Sequence, residues 1–344
     1  MSARTLTVGR QDAGQTVAAV LHRRLGLSWS RARQAVARGL VRVNGRPCPD
    51  PARRVAAGAR IEVRPAGGEA RKQPPRKAAP LRSPPPPRPA LPPGVPRPVV
   101  VYSDESVVVA DKPAGLTTMR HPEEAAEFGE RGKRYLPPTL ADLLPPLLGE
   151  FGRARPLRAV HRIDKETSGL VVFARTPEAE RHLAAQFRAH TIERRYLALV
   201  RGRPPEGRIE SRLVRDRGDG RRGSTPDPNA GRRAVTHVRV LEELGPFSLV
   251  ECRLETGRTH QVRIHLGEQG TPLCGERVYD RPLHGPPVPD ASGAGRVMLH
   301  AAVLGFRHPQ TGEWVRWEAE PPAYFRELLE RLRRESGHPS RPDR

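Results

Sequence analysis

Residues 65–98 most constrain what this chain can fold into. The segment is rich in proline, carries the run Pro84 to Pro87, and shows no apolar periodicity. Proline fixes φ and has no backbone N–H to donate, so such a stretch can neither continue a helix nor sit inside a sheet. It reads as an extended, polyproline-like linker, and it divides the 344 residues into a small unit, 1–64, and a larger one that begins at Val99. Charge follows the same division. Residues 1–64 hold 13 basic and 3 acidic residues and the linker holds 7 and 1, so the first 98 residues carry +16 of the net +22. Such a surface seeks polyanions. Anionic lipid is not the expected one, because no run of about 18 apolar residues and no signal-peptide pattern is present. Cys48, Cys252 and Cys274 are scattered, without the spacing of a disulfide framework or a zinc site, and a reducing cytoplasm is the expected location.

The small unit is legible element by element. Val17, Val20, Leu21 and Leu25 recur at helical spacing after Thr16, and a second amphipathic stretch runs from Ser30 as N-cap to Gly39 as C-cap. Val41-Arg42-Val43 and Arg60-Ile61-Glu62-Val63 alternate as strands, and Asn44-Gly45 signals a tight turn. Arg31, Arg33 and Arg38 stud the second helix and Arg42 follows it, a pattern that serves equally as a solvated face or as a nucleic-acid contact. The run SRARQAVARGLVRVNGRPCPDPARRVAAGARIEV is similar to the RNA-binding domain first seen in ribosomal protein S-four, with Ala59 where that family usually has aspartate. The resemblance implies RNA as partner and those four arginines as contacts.

Beyond the linker, short apolar strands are predicted at Val99–Tyr102, Val107–Ala110, Gly169–Ala174, Tyr196–Val200, Val235–Leu241 and Leu249–Leu254, with helices at Glu178–His190 and Tyr324–Glu335. Strands outnumber helices and do not alternate with them. This predicts an α+β domain over residues 99–335 with a largely antiparallel mixed sheet, preceded by a small α+β domain and followed by a disordered tail, 336–344. A doubly wound nucleotide-binding fold is disfavoured, and neither a Gly-x-Gly-x-x-Gly nor a Walker loop is present.

Three dense polar clusters interrupt these strands: His161 to Gly169, Glu255 to His265 and Arg296 to Ala301. Alone, an aspartate before Thr-Ser-Gly is most simply a capping residue. His260 and His265, five residues apart, would point about 140° away from each other on a helix, which argues against a metal pair. No Gly-x-Ser-x-Gly elbow supports a serine hydrolase. Together, however, the clusters carry a resemblance. HRIDKETSGLVVFA resembles the signature of the RluA-like pseudouridine synthases, ADKPAGLTT their opening Asn-Lys-Pro-x-Gly motif, RRYLALVRG their tyrosine motif, GRTHQVRIHL their arginine motif, and RVMLHA the strand that follows. Five motifs stand in the family's order between Val99 and Glu330. Asp111 replaces the usual asparagine, Ile163 the usual leucine, and Gly275-Glu276-Arg277-Val278-Tyr279-Asp280 a stretch usually written Gly-Asp-x-x-Tyr-Gly.

The resemblance implies an isomerase that converts uridine in structured RNA to pseudouridine without a cofactor or a metal. Large-subunit ribosomal RNA is the expected substrate and a monomer the expected state. Asp164 is the implied catalytic carboxylate, Arg263 the cation whose planar fork can hold it, and Tyr196 the ring that stacks on the target base. Arg162 would fill the gap left by the extruded nucleotide, and Leu299 would floor the base. A carboxylate suits an anomeric centre because it can attack it or stabilise its positive charge. The rival reading is a catalytically silent RNA-binding protein of ribosome assembly, which has no use for a carboxylate in a phosphate-attracting groove.

Overall fold

The computed structural model describes residues 4–27, 29–50, 53–64, 91, 93–120, 136–149, 157–282 and 285–337. Most of the expected linker (65–90 and 92) and the end of the expected tail (338–344) lie outside the described residues. The chain divides into two units, Met1–Pro86 and Pro87–Arg344.

In the first unit, helices α1 (Val17–Leu25) and α2 (Trp29–Ala37) accompany a four-stranded sheet of β1 (Arg4–Thr7), β2 (Val41–Val43), β3 (Arg46–Pro47) and β4 (Arg60–Val63) in the order β1-β4-β2-β3. Thr16 caps α1, its hydroxyl accepting the Ala19 N–H at 3.2 Å. Val17, Leu21, Val36, Val41 and Ile61 form the core. Asn44 and Gly45 both have positive φ, 50° and 76°, the twist that suits a two-residue hairpin. One expectation is corrected here: α2 begins at Trp29, so Ser30 lies inside the helix and is not its cap.

The second unit is α+β, as the strand-rich pattern requires. Its strands are β5 (Val99–Ser103), β6 (Val107–Lys112), β7 (Arg158–Ala159), β8 (Ser168–Ala174), β9 (Glu193–Arg201), β10 (Gly207–Val214), β11 (Gly223–Thr225), β12 (Arg232–Leu244), β13 (Phe247–Leu254), β14 (Leu299–Arg307) and β15 (Trp314–Glu318). The helices are α3 (Leu140–Leu147), α4 (Pro177–Ala189), α5 (Gln261–Glu268) and α6 (Ala323–Glu335). The sheet runs β11-β10-β12-β13-β9-β14-β8-β6-β5, with β15 beside β14 and β7 beside β8. Its pairings are antiparallel except for β14 with β8.

Alternate residues of the central strands feed cores on opposite faces. Val108, Val171 and Phe173 pack with Leu140 and Leu144 of α3 on one side, and Val107, Leu170 and Val172 pack with Ala179 and Leu183 of α4 on the other. Leu91 and Val95, at the end of the proline-rich stretch, also rest on the first of these cores. Helix α6 buries Phe325, Leu328, Leu329 and Leu332 against Leu199, Leu249 and Met298. No helix among the described residues is long and apolar enough to cross a membrane.

The single parallel pairing positions the site. It sets His300 opposite Ser168 and Ala301 opposite Gly169, while β9 places Tyr196 opposite Ala301 from the other side. Gly169 makes this approach possible: with φ of 112°, a Cβ there would sit 2.3 Å from the Ala301 carbonyl oxygen. The loop that ends β7 and begins β8 therefore runs directly past the start of β14 and the middle of β9.

Candidate active site

That loop carries Asp164, and its backbone is clamped on both sides. The Lys112 ammonium is fully buried and donates to the carbonyls of Pro113 (3.0 Å), Leu116 (2.7 Å) and Lys165 (3.2 Å). Gly115 N–H donates to the same Lys165 carbonyl at 2.8 Å, and the Thr118 hydroxyl donates to the Ile163 carbonyl at 2.8 Å. The residues before and after Asp164 are thus both tied to the Ala110–Thr118 stretch. Burial pulls the Lys112 amine down to about 7, against the pull of Asp164 and Glu166. His161 braces the turn from the other side: its Nε2 accepts the Val172 N–H at 3.0 Å and its ring stacks on Phe187 at 4.7 Å. A ring nitrogen that accepts an amide proton must be neutral there, and burial pushes His161 down to about 3.

Asp164 opens into a cavity of about 540 Å³ lined also by Arg162, Tyr196, His260, Arg263 and Leu299. Leu299 is buried at the start of β14 and Arg162 is exposed at the rim. Tyr196 is 8% exposed, and burial pushes its phenol up to about 12, so it is a neutral hydroxyl at physiological pH. A hydrogen-bonded chain runs from the half-buried Tyr324 hydroxyl to Ser168 Oγ (3.3 Å), and from Ser168 to His300 Nδ1 (2.9 Å). His300 Nε2–H then donates to the Ala319 carbonyl at 3.0 Å. This chain ties β8, β14 and α6 together.

Arg263 comes from α5, which is buried from Gln261 through Gly267. Gln261 fixes the helix start, donating to the Val235 carbonyl (2.9 Å) and Thr236 hydroxyl (3.0 Å) while accepting the Arg258 N–H (3.0 Å). The Arg263 fork is held by Glu276, with Nε to Oε2 at 2.6 Å and Nη2 to Oε1 at 2.9 Å. Only Nη1 turns to Asp164, at 3.9 Å from Oδ2. His260 approaches the other carboxylate oxygen, Nε2 to Oδ1 at 3.9 Å, and its Nδ1 is 2.7 Å from the Tyr279 hydroxyl. A phenol proton donated to Nδ1 leaves Nε2–H facing Asp164, the tautomer that suits a carboxylate. Two donors converge on Asp164 without closing on it, leaving room for a substrate atom between them.

Residues 106–268 match the RNA pseudouridylate synthase family model, and residues 17–61 match the S4 domain. A ribosomal large subunit pseudouridine synthase D of Zymomonas mobilis is 42% identical over 235 residues, 68% of this chain and 72% of that protein. The chain belongs to the RNA pseudouridine synthase family. It is an isomerase acting on uridine in RNA, with an N-terminal S4 domain. A synthase of the same name from Neisseria meningitidis serogroup A is 42% identical over 251 residues, 71% of this chain and 64% of that protein. Human RNA pseudouridylate synthase domain containing 4 shares the fold, with a TM-score of 0.54 and 24% identity over 68% of this chain and 92% of that one.

The structure gathers Asp164, Tyr196, Arg263, Arg162 and Leu299 around one cavity. It corrects one geometric expectation: Arg263 makes its two parallel hydrogen bonds to Glu276, not to Asp164. Glu276 lies in the stretch that departs from the family's Gly-Asp-x-x-Tyr-Gly, and an acidic residue there was the available signal. Lys112 was visible only as a member of its motif, and His260 only there and as half of the disfavoured metal pair. In the S4 unit Arg31 and Arg38 are exposed, and Arg42 is half-buried with Nη1 on the Gly45 carbonyl at 3.5 Å. The Arg33 side chain lies outside the described residues.

Proposed function

We propose that this synthase isomerises a uridine of structured large-subunit ribosomal RNA, with Asp164 as its essential catalytic group. The observation that carries the reading is a carboxylate fixed by its backbone on both sides, in the wall of a cavity that Tyr196 and Leu299 also line. Ribosomal specificity draws on the similarity to the ribosomal large subunit synthases of Zymomonas and Neisseria and on the S4 domain. In the proposed mechanism the target nucleotide leaves its stack and enters the cavity, Arg162 fills its place, and Tyr196 stacks on the base. Extrusion costs a few kcal/mol of unstacking, which an inserted guanidinium offsets. As the bond from C1′ to N1 breaks, positive charge develops on the anomeric carbon and the Asp164 carboxylate meets it. The freed uracil turns, C1′ joins C5, the C5 proton leaves to solvent and N1 takes up a proton, so the nucleotide keeps its composition. Arg263 and His260 orient the carboxylate through the reaction.

Residues 1–64 capture RNA through Arg31, Arg33, Arg38 and Arg42, residues 65–98 link them to the catalytic domain at 99–335, and residues 336–344 form a tail. The enzyme works as a cytoplasmic monomer, a setting that suits its three free, buried cysteines. The test is pseudouridine mapping of large-subunit RNA treated with the purified chain and with Asp164→Asn. The wild-type chain should create a discrete site, and the variant should bind the RNA with unchanged melting temperature yet leave that site as uridine. Conversion by the variant at more than a small fraction of the wild-type single-turnover rate would remove Asp164 from its role.

A further inference from the structure

Arg194 is a buried cation with no carboxylate counter-charge among the described residues. It is 7% exposed, lines the same cavity as Asp164, and among the described residues no carboxylate lies within ion-pair distance of it. Among the described residues its guanidinium makes one hydrogen bond, Nη2 to the Glu255 carbonyl at 3.0 Å, and its Nε has no partner. The group lies 5.5 Å from the Phe187 ring centroid. Burial draws its pKa below the ordinary range, and the neighbouring Arg258 pushes the same way, against Tyr196. An unpaired buried guanidinium is costly to the fold. The chain nonetheless makes room for it: a Cβ on Gly257 would stand 2.6 Å from Arg194 Nη1, so that glycine admits the guanidinium.

The surroundings call for an anion. Five arginines (162, 188, 194, 258 and 263) line the cavity, and Asp164 is the one carboxylate among the lining residues. Arg263 is already neutralised by Glu276. Arg162 and Arg188 are exposed, whereas Arg194 is fixed deep in the wall. It stands two residues before Tyr196 on β9, and alternate residues of a strand share a face. The two Cα atoms are therefore about 7 Å apart along one wall, the scale that separates a nucleobase from its own phosphate.

We propose that Arg194 is the phosphate subsite of the cavity, binding the phosphodiester attached to the nucleotide whose base lies against Tyr196. The subsite rests on the proposed RNA substrate and adds a contact that fixes the depth and direction of the flipped nucleotide. A guanidinium offers two parallel donors to phosphate oxygens, and these bonds are strong where water is excluded.

The test uses the full chain and the ribosomal RNA fragment holding the uridine it converts, made with a normal phosphodiester or with a neutral methylphosphonate on either side of that uridine. In the wild-type enzyme one of the two methylphosphonates should slow single-turnover conversion roughly 10- to 100-fold, the loss of a charge-assisted contact. Arg194→Met should lose a similar factor on normal RNA and be indifferent to that methylphosphonate, while Arg194→Lys, which keeps the charge, should stay sensitive. If Arg194→Met does not fold, Arg194→Lys decides alone: its loss relative to wild type on normal RNA must shrink on the methylphosphonate RNA. Equal methylphosphonate penalties in Arg194→Met and wild type, or none in wild type, would overturn the subsite while leaving the synthase reading intact. If the wild-type chain converts no uridine of the ribosomal RNA, the proposed substrate fails and the subsite with it.

Discussion

Replacing Glu276 by glutamine should damage this enzyme twice, and the two effects can be read separately. The Glu276 side chain is fully buried, and its carboxylate takes two hydrogen bonds from Arg263. It also accepts from the backbone N–H groups of Arg277 (3.0 Å), Val278 (2.8 Å) and Tyr279 (3.3 Å). Glutamine keeps the shape and one acceptor oxygen, which can still take the three amides. Its NH₂ then faces an Arg263 N–H, donor against donor, and the guanidinium is left without a full counter-charge. Breaking one side of a buried pair costs about 3–5 kcal/mol, a large part of a typical domain's stability. Arg263 also loses the fork that aims Nη1 at Asp164, and a displacement near 1 Å at a reacting centre can cost about 10²-fold in rate. Denaturant unfolding of wild type and Glu276→Gln reads the first effect, and single-turnover conversion reads the second. Glu276→Asp restores the acid that the family usually carries here, keeps the charge and shortens the arm. It should recover most of the stability and part of the rate. A stability loss under about 1 kcal/mol with an unchanged rate in Glu276→Gln would refute the reasoning, since surface-like behaviour is incompatible with a buried charged pair. There is also a pH signature. Burial pushes the Glu276 carboxyl up, but Arg263 outweighs this and holds it below its ordinary 4.5. Its stabilisation is therefore present above pH 4.5 and fades as pH falls through the lower folded value, a decline that Glu276→Gln should not show.

Lys112 should give a slope of the same sign at higher pH. Its folded pKa is about 7 against an ordinary 10.5, so between those values the unfolded chain holds a proton that the folded chain lacks and stability rises with pH; Lys112→Met should flatten urea-derived stability over pH 7–10.5, and an unchanged slope would assign it to another group. Gly169→Ala should destabilise the catalytic domain by about 2 kcal/mol or more, because the new Cβ strikes Ala301 backbone at a φ that alanine rarely adopts, and a melting temperature within a degree of wild type would mean the β8–β14 approach relaxes freely. In the S4 domain, Arg38→Gln and Arg42→Gln should each lower the slope of log affinity against log salt by roughly 0.7–0.9 in the full chain; a slope unchanged in the double variant would show that this face does not meet phosphate.

The elements that sequence reading found are those with one dry and one wet face, or with strong turn chemistry. Helix α4 has Thr176 as its cap and Pro177 in its first turn, and α6 presents a clean apolar stripe. Strand β8 was found because it is buried on both faces and reads as a continuous apolar run. Other elements lacked these signals. Helix α3 holds Pro145 and Pro146 just before its last residue, Leu147; they discourage a helical assignment although the Thr139–Asp142 capping box nucleates it. Helix α5 is buried on every side, so it has no amphipathic contrast to detect. Strands β10 and β15 expose polar and charged residues on much of their length and depend on pairing with β12 and β14 for their existence.

At the site, motif resemblance found residues that line the cavity but not the groups that hold them. Asp164 is recognisable because its neighbours must form one turn, a local requirement written in consecutive residues. The partnership of Arg263 with Glu276 spans 13 residues and a change from helix to loop, and no periodicity links the two. Lys112 reaches the Lys165 carbonyl across 53 residues, because the β6–β8 register lays the opening motif beside the turn that carries Asp164. Arg194 and Gly257 belong to different motifs, and only the fold reveals that the glycine of one admits the guanidinium of the other. Each pairing joins a charge to the group that tolerates or neutralises it, and a charge buried without such a partner would cost several kcal/mol. The fold thus accounts for Lys112, Glu276 and Arg263 within the protein itself. It leaves Arg194 as a buried guanidinium with no carboxylate in reach among the described residues, which is why the missing anion is sought on the substrate.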